Sequence, residues 1–374
     1  MTQAGPVRLH QIEGGVGRET ERMDRSTRGA VLGIAAAAMF GASAPLAKRL
    51  LGDVSPQLLA GLLYGGAALA LSAALAVRRS PLEARLRRSD APTMAAVTML
   101  GGVIAPVLLL VGLDRVSGVA GSLLLNLEAV LTLGLALVLF GEHLDRRAAA
   151  GAAAVVAAAV VLGVSGGQSK ADIVGILAIT AACACWAIDN NLTQRLSGRD
   201  PVAIVRTKAV VAAAMNIGLA FALGSSGPAG WVVVAAMALG AGAYGLSVVF
   251  DAYALRFVGA AREAAFFATA PVFGVATAVV VLGESVGLGE GVAIAIMGVG
   301  IYLLVSEDHL HDHAHEVLHH DHRHRHDDGH HDHLHLDPVD EHAHSHHHVA
   351  LSHNHRHVSD AHHHHRHDDE PGAG

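Results

Sequence analysis

Long apolar runs, broken at near-regular intervals by short clusters of charged residues and turn formers, occupy residues 29–305. The runs fall at 29–48, 56–77, 93–112, 119–140, 147–165, 172–194, 201–223, 231–255, 263–283 and 287–305. Most are close to the roughly 20 residues with which a helix crosses about 30 Å of hydrocarbon. Ser80-Pro81, Gly166-Gly167, Asp200-Pro201 and Gly227-Pro228 punctuate the connections. The pattern predicts an all-α integral membrane protein with ten transmembrane helices.

Basic residues alternate between the connections. The leader holds Arg8, Arg18, Arg22, Arg25 and Arg28, and the second connection holds Arg78, Arg79, Arg85, Arg87 and Arg88. Arg146 and Arg147, Arg195 and Arg199, and Arg256 and Arg262 follow in the fourth, sixth and eighth. The odd connections carry only Lys48, Arg49, Arg115 and Lys170. Positive charge is retained on the cytoplasmic side, so both termini are expected there.

One apolar run is interrupted by polar groups in its first third. Leu123 to Glu142 contains Asn126 and Glu128 and ends in Phe140-Gly141-Glu142. The run from Ala265 to Glu284 echoes it in length and ends in Gly283-Glu284, with Ala268 and Ala270 where the first copy is polar. Phe40 to Arg49 likewise parallels Trp186 to Arg195. Helices one to five and six to ten therefore read as two copies, at 29–165 and 172–305. Five is an odd number, so the second copy is expected to sit inverted relative to the first, a common transporter construction. Residues 1–28 read as a cytoplasmic leader, without the apolar core of a signal peptide. Residues 306–374 read as a separate tail. Gly61-x-x-x-Gly65 and the series Gly240, Gly242, Gly245 supply small residues of the kind that let membrane helices approach closely.

Composition agrees with this reading. Of 374 residues 52% are hydrophobic and only 4% aromatic, and the mean hydropathy is +0.42. The net charge of −7 misleads, because acids and histidines crowd into the tail while the membrane part carries arginine clusters between its runs; no nucleic-acid partner is expected. The two cysteines, Cys183 and Cys185, lie inside one apolar run and form no disulfide framework. Gly163-Val-Ser-Gly-Gly167 matches G-x-S-x-G but lacks the strand-turn-helix setting of a nucleophile elbow. With no metalloprotease, phosphate-binding or dinucleotide motif either, an enzyme is not expected, and no cofactor is required.

The five-plus-five repeat, Leu124-Leu-Asn-Leu-Glu-Ala-Val130 with its Leu139-Phe-Gly-Glu142 ending, and the second Leu282-Gly-Glu284 together resemble the EamA branch of the drug/metabolite transporter superfamily. The resemblance covers residues 30–305. It implies a bacterial inner-membrane carrier, usually an exporter of small metabolites, amino acids or drugs. The tail lies outside the family pattern.

A carboxylate in the middle of a membrane helix is costly and must face protein, water or a partner. Glu128 is thus the leading candidate for a substrate or proton site, with Asn126 about 200° around the helix from it. Asp189, Asn190 and Asn191 form a polar triplet toward the cytoplasmic end of helix six. Asp251 lies at similar depth in helix eight. Arg206 and Lys208 enter helix seven from the same side, and the two acids and two bases are expected to form a charge-paired layer or gate. Trp186 and Tyr244 are candidate lining residues.

The tail, His309 to His367, holds 26 of the 28 histidines with many Asp and few apolar residues. Such a segment cannot bury a core and is expected to be disordered. Imidazoles two residues apart, as in His311, His313 and His315, His322, His324 and His326, and His342, His344 and His346, are candidate ligands for zinc, nickel, cobalt or copper. Divalent metal export, or metal buffering without transport, is the alternative to metabolite export.

Overall fold

In a computed structural model, residues 27–77, 84–140, 146–164, 172–196, 199–258, 263, 266–305, 309–315, 319–324, 342–347 and 351–357 are described. The leader to residue 26, Arg78, Arg79, Gly141, Glu142, Gly166, Gly167, Arg262 and His326 lie outside them. Helix α1 is Thr27–Leu50, α2 Pro56–Val77 and α3 Arg88–Leu113. Helix α4 comes in two pieces, Gly118–Leu124 and Leu127–Phe140, with a turn at Leu125-Asn126 between them. Then come α5 (Arg146–Val164), α6 (Ile173–Leu196) and α7 (Pro201–Ala222). Helix α8 starts at Gly230 and ends at Val258, α9 is Ala270–Leu282 and α10 Leu288–Val305.

Among the described residues seven helices are long and apolar enough to cross a membrane: α1 to α4 and α6 to α8. Shorter apolar stretches cover Ala149–Leu162, Ala270–Leu282 and Leu288–Leu303, within α5, α9 and α10. Start signals follow from side chains. Asp172 and Asp200 accept the first free backbone N–H groups of α6 and α7, and Ser117 does so for α4.

Leu69, Val160, Leu177, Val234, Val280, Leu288 and Tyr302 point outward. The outer face is thus apolar, as hydrocarbon requires and water does not reward. The interior is built largely from small residues, among them Ala36, Ala60, Ala105, Ala158, Ala182, Ala209, Ala236 and Ala278, all buried. Between helices in lipid, close packing replaces the hydrophobic effect as the source of association. Helix α2 packs along α7 and α8, α5 along α10, α3 and α4 along α6, and α9 against α1 and α4. The α2–α8 crossing is reciprocal: a Cβ on Gly66 would collide with the Met237 carbonyl, and one on Gly240 with the Leu63 carbonyl.

Contacts gather the connections at two ends. At one end Ser55 Oγ and Ser225 Oγ are 2.9 Å apart, Lys48 Nζ donates to the Leu113 carbonyl at 2.6 Å, and Arg115 pairs with Asp172 at 2.8 Å. At the other end Arg199 Nε meets Asp90 Oδ2 at 2.8 Å, and the Asp200 N–H donates to the Ala84 carbonyl at 3.0 Å.

Two departures from the regular helix were not anticipated. Thr98–Ile104 in α3 and Ala241–Leu246 in α8 are π-helical. Each π stretch is glycine-containing, and such segments leave carbonyls without their usual i+4 partner. Strands β1 (His309–His315) and β4 (Leu351–His357) pair antiparallel, as do β2 (His319–His324) and β3 (His342–His347). His-x-His is a period-two pattern, which an extended strand displays on alternating faces.

Gly240→Val should lower thermal stability by about 1–3 kcal/mol or more, because the added atoms have nowhere to go against the Leu63 backbone. Gly218→Ala, where a Cβ meets nothing within 4 Å, should stay within about 0.5 kcal/mol. Unfolding curves of both variants in one detergent check the pair.

Candidate functional site

Polar groups of the apolar bundle converge where α3 and α4 meet α6 and α7; Asp189 and Asn191 among them are buried and Asn190 is exposed. The π stretch of α3 is the hub. Its Gly101 carbonyl accepts from Tyr64 Oη at 2.7 Å and from Trp186 Nε1 at 3.0 Å. Its Gly102 carbonyl accepts from Asn216 Nδ2 at 3.1 Å, and Asn216 Oδ1 accepts from Gln57 Nε2 at 2.7 Å. Only glycine fits here. A Cβ on Gly101 would strike the Asp189 carboxylate, and one on Gly102 would lie 2.9 Å from Ala212 Cβ and 3.3 Å from Lys208 Cγ.

Asp189 on α6 and Lys208 on α7 form the charged pair of the layer, 2.5 Å apart. The Asp189 side chain is 3% exposed and that of Lys208 16%, so water does little to screen the attraction. Thr193 Oγ1 donates to the other carboxylate oxygen at 3.3 Å. Beside the pair, Asn190 Nδ2 donates to Glu128 Oε1 at 2.9 Å and lies 3.5 Å from Thr132 Oγ1. Asn191 Nδ2 donates to the Thr132 and Ala187 carbonyls at 3.1 and 2.8 Å. Its Oδ1 is buried without a hydrogen-bond partner among the described residues.

Rings border these groups. Tyr64 stacks on Tyr244 with centroids 5.9 Å apart, and Phe40 meets Tyr244 edge-on at 6.2 Å and Phe267 at 5.3 Å. Every one of these rings has a neighbour on another helix, an arrangement that packs and orients at once.

The layer gathers most of the residues singled out from the sequence and separates others. Glu128, Trp186, Asp189, Asn190, Asn191, Tyr244 and Lys208 belong to it. Asn126 does not: its amide donates at 3.0 Å to the Leu123 carbonyl of its own helix, at the break in α4. Arg206 Nε donates to Ser72 Oγ at 3.1 Å on an exposed face. Asp251 faces Glu263, whose Oε1 is buried without a hydrogen-bond partner among the described residues. The expected layer of two acids and two bases is therefore reduced to one pair, because Arg206 and Asp251 point along other helix faces. Among the described residues no three His, Cys, Asp or Glu side chains converge as a metal site. The candidate tail ligands are His311, His313, His315, His322, His324, His342, His344 and His346. They lie on the strands, where the register sets His311 opposite His355, His313 opposite His353, His322 opposite His344 and His324 opposite His342.

Sequence reasoning missed Tyr64, Gly101, Gly102, Thr132 and Asn216. A tyrosine or a glycine in an apolar run carries no sign of its partner. The adjacent glycines 101 and 102 in a span were the available signal.

An apolar helical bundle enclosing a polar layer is the construction of a membrane transporter. The chain belongs to the EamA-like transporter family, whose model matches residues 27–164 and again 173–306. It is 28% identical over 292 residues to an uncharacterized transporter from Methanothermobacter thermautotrophicus, covering 72% of this chain and 84% of that one. A solved crystal structure shares the fold with a TM-score of 0.57 at 20% identity, over 74% of this chain and 98% of the other.

Replacing Lys208 by Met alone should destabilise by about 3–5 kcal/mol, because the buried Asp189 carboxylate loses its counter-charge. Adding Asp189→Asn should recover much of that loss. Additive losses in a double-mutant cycle, read by unfolding, would mean the two groups are energetically independent.

Proposed function

We propose that the chain is a secondary carrier of the bacterial inner membrane that exports a small metabolite, amino acid or drug by alternating access. The seven long spans and the three shorter apolar helices make up ten crossings, arranged as two inverted halves over 29–165 and 172–305. Both termini are cytoplasmic in this reading. One observation carries it: the polar layer lies between the two family-matched segments. Glu128, Tyr64, Gly101 and Gly102 come from the first, and Asn190, Trp186, Asn216 and Lys208 from the second. Carriers built from repeats place their substrate site at this interface.

Glu128 is the substrate or coupling carboxylate in this account. Asn190, Asn191 and Asp189 complete the polar wall, and Trp186 and Tyr244 supply apolar contact. Lys208 neutralises Asp189 and gates the path. Glu128→Gln keeps the shape and the bond to Asn190 but removes the charge. It should abolish export while insertion and folding persist. The substrate comes from an untargeted comparison of metabolites released by cells with and without the protein, and transport of that compound by the variant is then measured. Undiminished transport by Glu128→Gln would make the carboxylate structural.

The tail supports a second reading, in which divalent metal ions bind it as accessory or as cargo. The strand register that sets histidine opposite histidine favours it. Several interchangeable sites with little selection among zinc, nickel, cobalt and copper follow from the repeated spacing. Calorimetric titration of the full chain and of a chain ending at Ser306 should show metal uptake in the first only. Equal uptake by both would remove the tail from consideration.

A further inference from the structure

The Gly283-Glu284 pair that closes the second apolar echo has no part in the polar layer. Gly283 follows α9 at φ 68°, the left-handed conformation that glycine adopts without steric cost, and its N–H donates to the Ala278 carbonyl. The turn carries Glu284 onto the first turn of α4. Glu284 Oε1 accepts the Gly118 N–H at 2.7 Å, and Oε2 accepts the Val119 N–H at 2.8 Å.

First-turn amides have no intrahelical partner, and a carboxylate is favoured at that end of a helix. Here the carboxylate comes from another helix. Ser117 Oγ takes the Ala120 N–H at 3.0 Å, so three successive amides are held by two side chains. The seat is tight: a Cβ on Gly118 would lie 2.7 Å from Leu282 Cδ1, 3.2 Å from Ala278 Cβ and 3.3 Å from Glu284 Oε1. Lys48, which donates to the Leu113 carbonyl, also acts electrostatically on Glu284 and Asp114. The end of α1, the α3–α4 connection and the α9–α10 connection thus meet around one carboxylate. Helix α4 belongs to the first matched segment and α9 to the second, so the contact ties the two together at the end where Ser55 meets Ser225.

We propose that Glu284 is the latch of this end of the bundle, a positioning residue whose carboxylate holds the first turn of α4 against α9 and whose release opens a path toward the polar layer. The proposal rests on the carrier reading above. A mere helix cap would affect stability alone; a latch also governs what lies behind it.

Ser122 reports on that space. It is 4% exposed, one turn deeper in α4, and a Cβ on Gly274 of α9 would lie 2.7 Å from its Oγ. Ser122→Cys is placed in a background with Cys183→Ala and Cys185→Ala. Its reaction with a charged maleimide is then timed on the full chain in nanodiscs. Adding Glu284→Gln should speed labelling at least tenfold. Gly118→Ala, whose Cβ crowds Leu282 Cδ1 and Glu284 Oε1 without altering charge, should give a similar rise, and the two together no more than either alone. Should Glu284→Gln not fold, Glu284→Asp, which withdraws the carboxylate by one methylene, should raise the rate in the same direction. Labelling unchanged by these substitutions, even with lowered melting temperature, would reduce Glu284 to a cap and overturn the latch. The readout is independent of flux. Faster labelling with no transport in the parent chain would leave the latch standing and count against the carrier, and transport with unmoved labelling would do the reverse.

Discussion

Hydrocarbon offers no hydrogen bonds, so every polar group carried into this bundle must find its partner inside the bundle. That constraint explains the architecture of the layer better than any single residue does. The π stretch Thr98–Ile104 leaves the Gly101 and Gly102 carbonyls without regular helical partners, and Tyr64, Trp186 and Asn216 from three other helices supply donors. The same glycines make room for Asp189 and Lys208. The loss of side chain at two positions therefore shapes the backbone, admits the ion pair and recruits the aromatic neighbours. Asn191 Oδ1 and Glu263 Oε1 are buried without a hydrogen-bond partner among the described residues.

The same economy governs the ends. At the end near Ser55 and Ser225, an acid from one segment satisfies amides of the other. At the opposite end Asp90 and Arg199 join connections from the two segments, half-buried at 2.8 Å. These ties differ in kind from the packing between α2 and α7 or α5 and α10, which buries close-set small residues and has no reason to separate. Closures made of a few polar contacts can part while the helix pairs made of tight packing stay together.

Much of the helical layout was legible in the chain. The runs 56–77 and 201–223 differ from Pro56–Val77 and Pro201–Ala222 by a residue at most, because length, the proline at each start and the preceding Ser55 and Asp200 mark the same boundaries. Glu128 stood out because a lone carboxylate in an apolar run is expensive anywhere it points. Its partner was not legible. Asn190, Asn191 and Asp189 are consecutive, and only the rotation of α6 decides that Asn190 takes Glu128 while Asp189 takes Lys208. Arg206 and Asp251 stand apart from that pair for the same reason: equal depth does not set a helix face. The break at Asn126 and the π stretches escaped because they are tertiary responses of an otherwise regular helical pattern. In the tail, the period-two spacing of histidines matches the strands His309–His315, His319–His324, His342–His347 and Leu351–His357.

The central claim is that the bundle opens alternately at its two ends about the layer that Glu128 and Lys208 occupy. Spin labels at Gly52 and Gly227 at one end, and at Ser89 and Gln194 at the other, allow both ends to be followed in nanodiscs by pulsed electron resonance. The account predicts two distance populations at each end that shift in opposite directions when the exported compound is added. A single distance at both ends, unchanged by that compound, would contradict it.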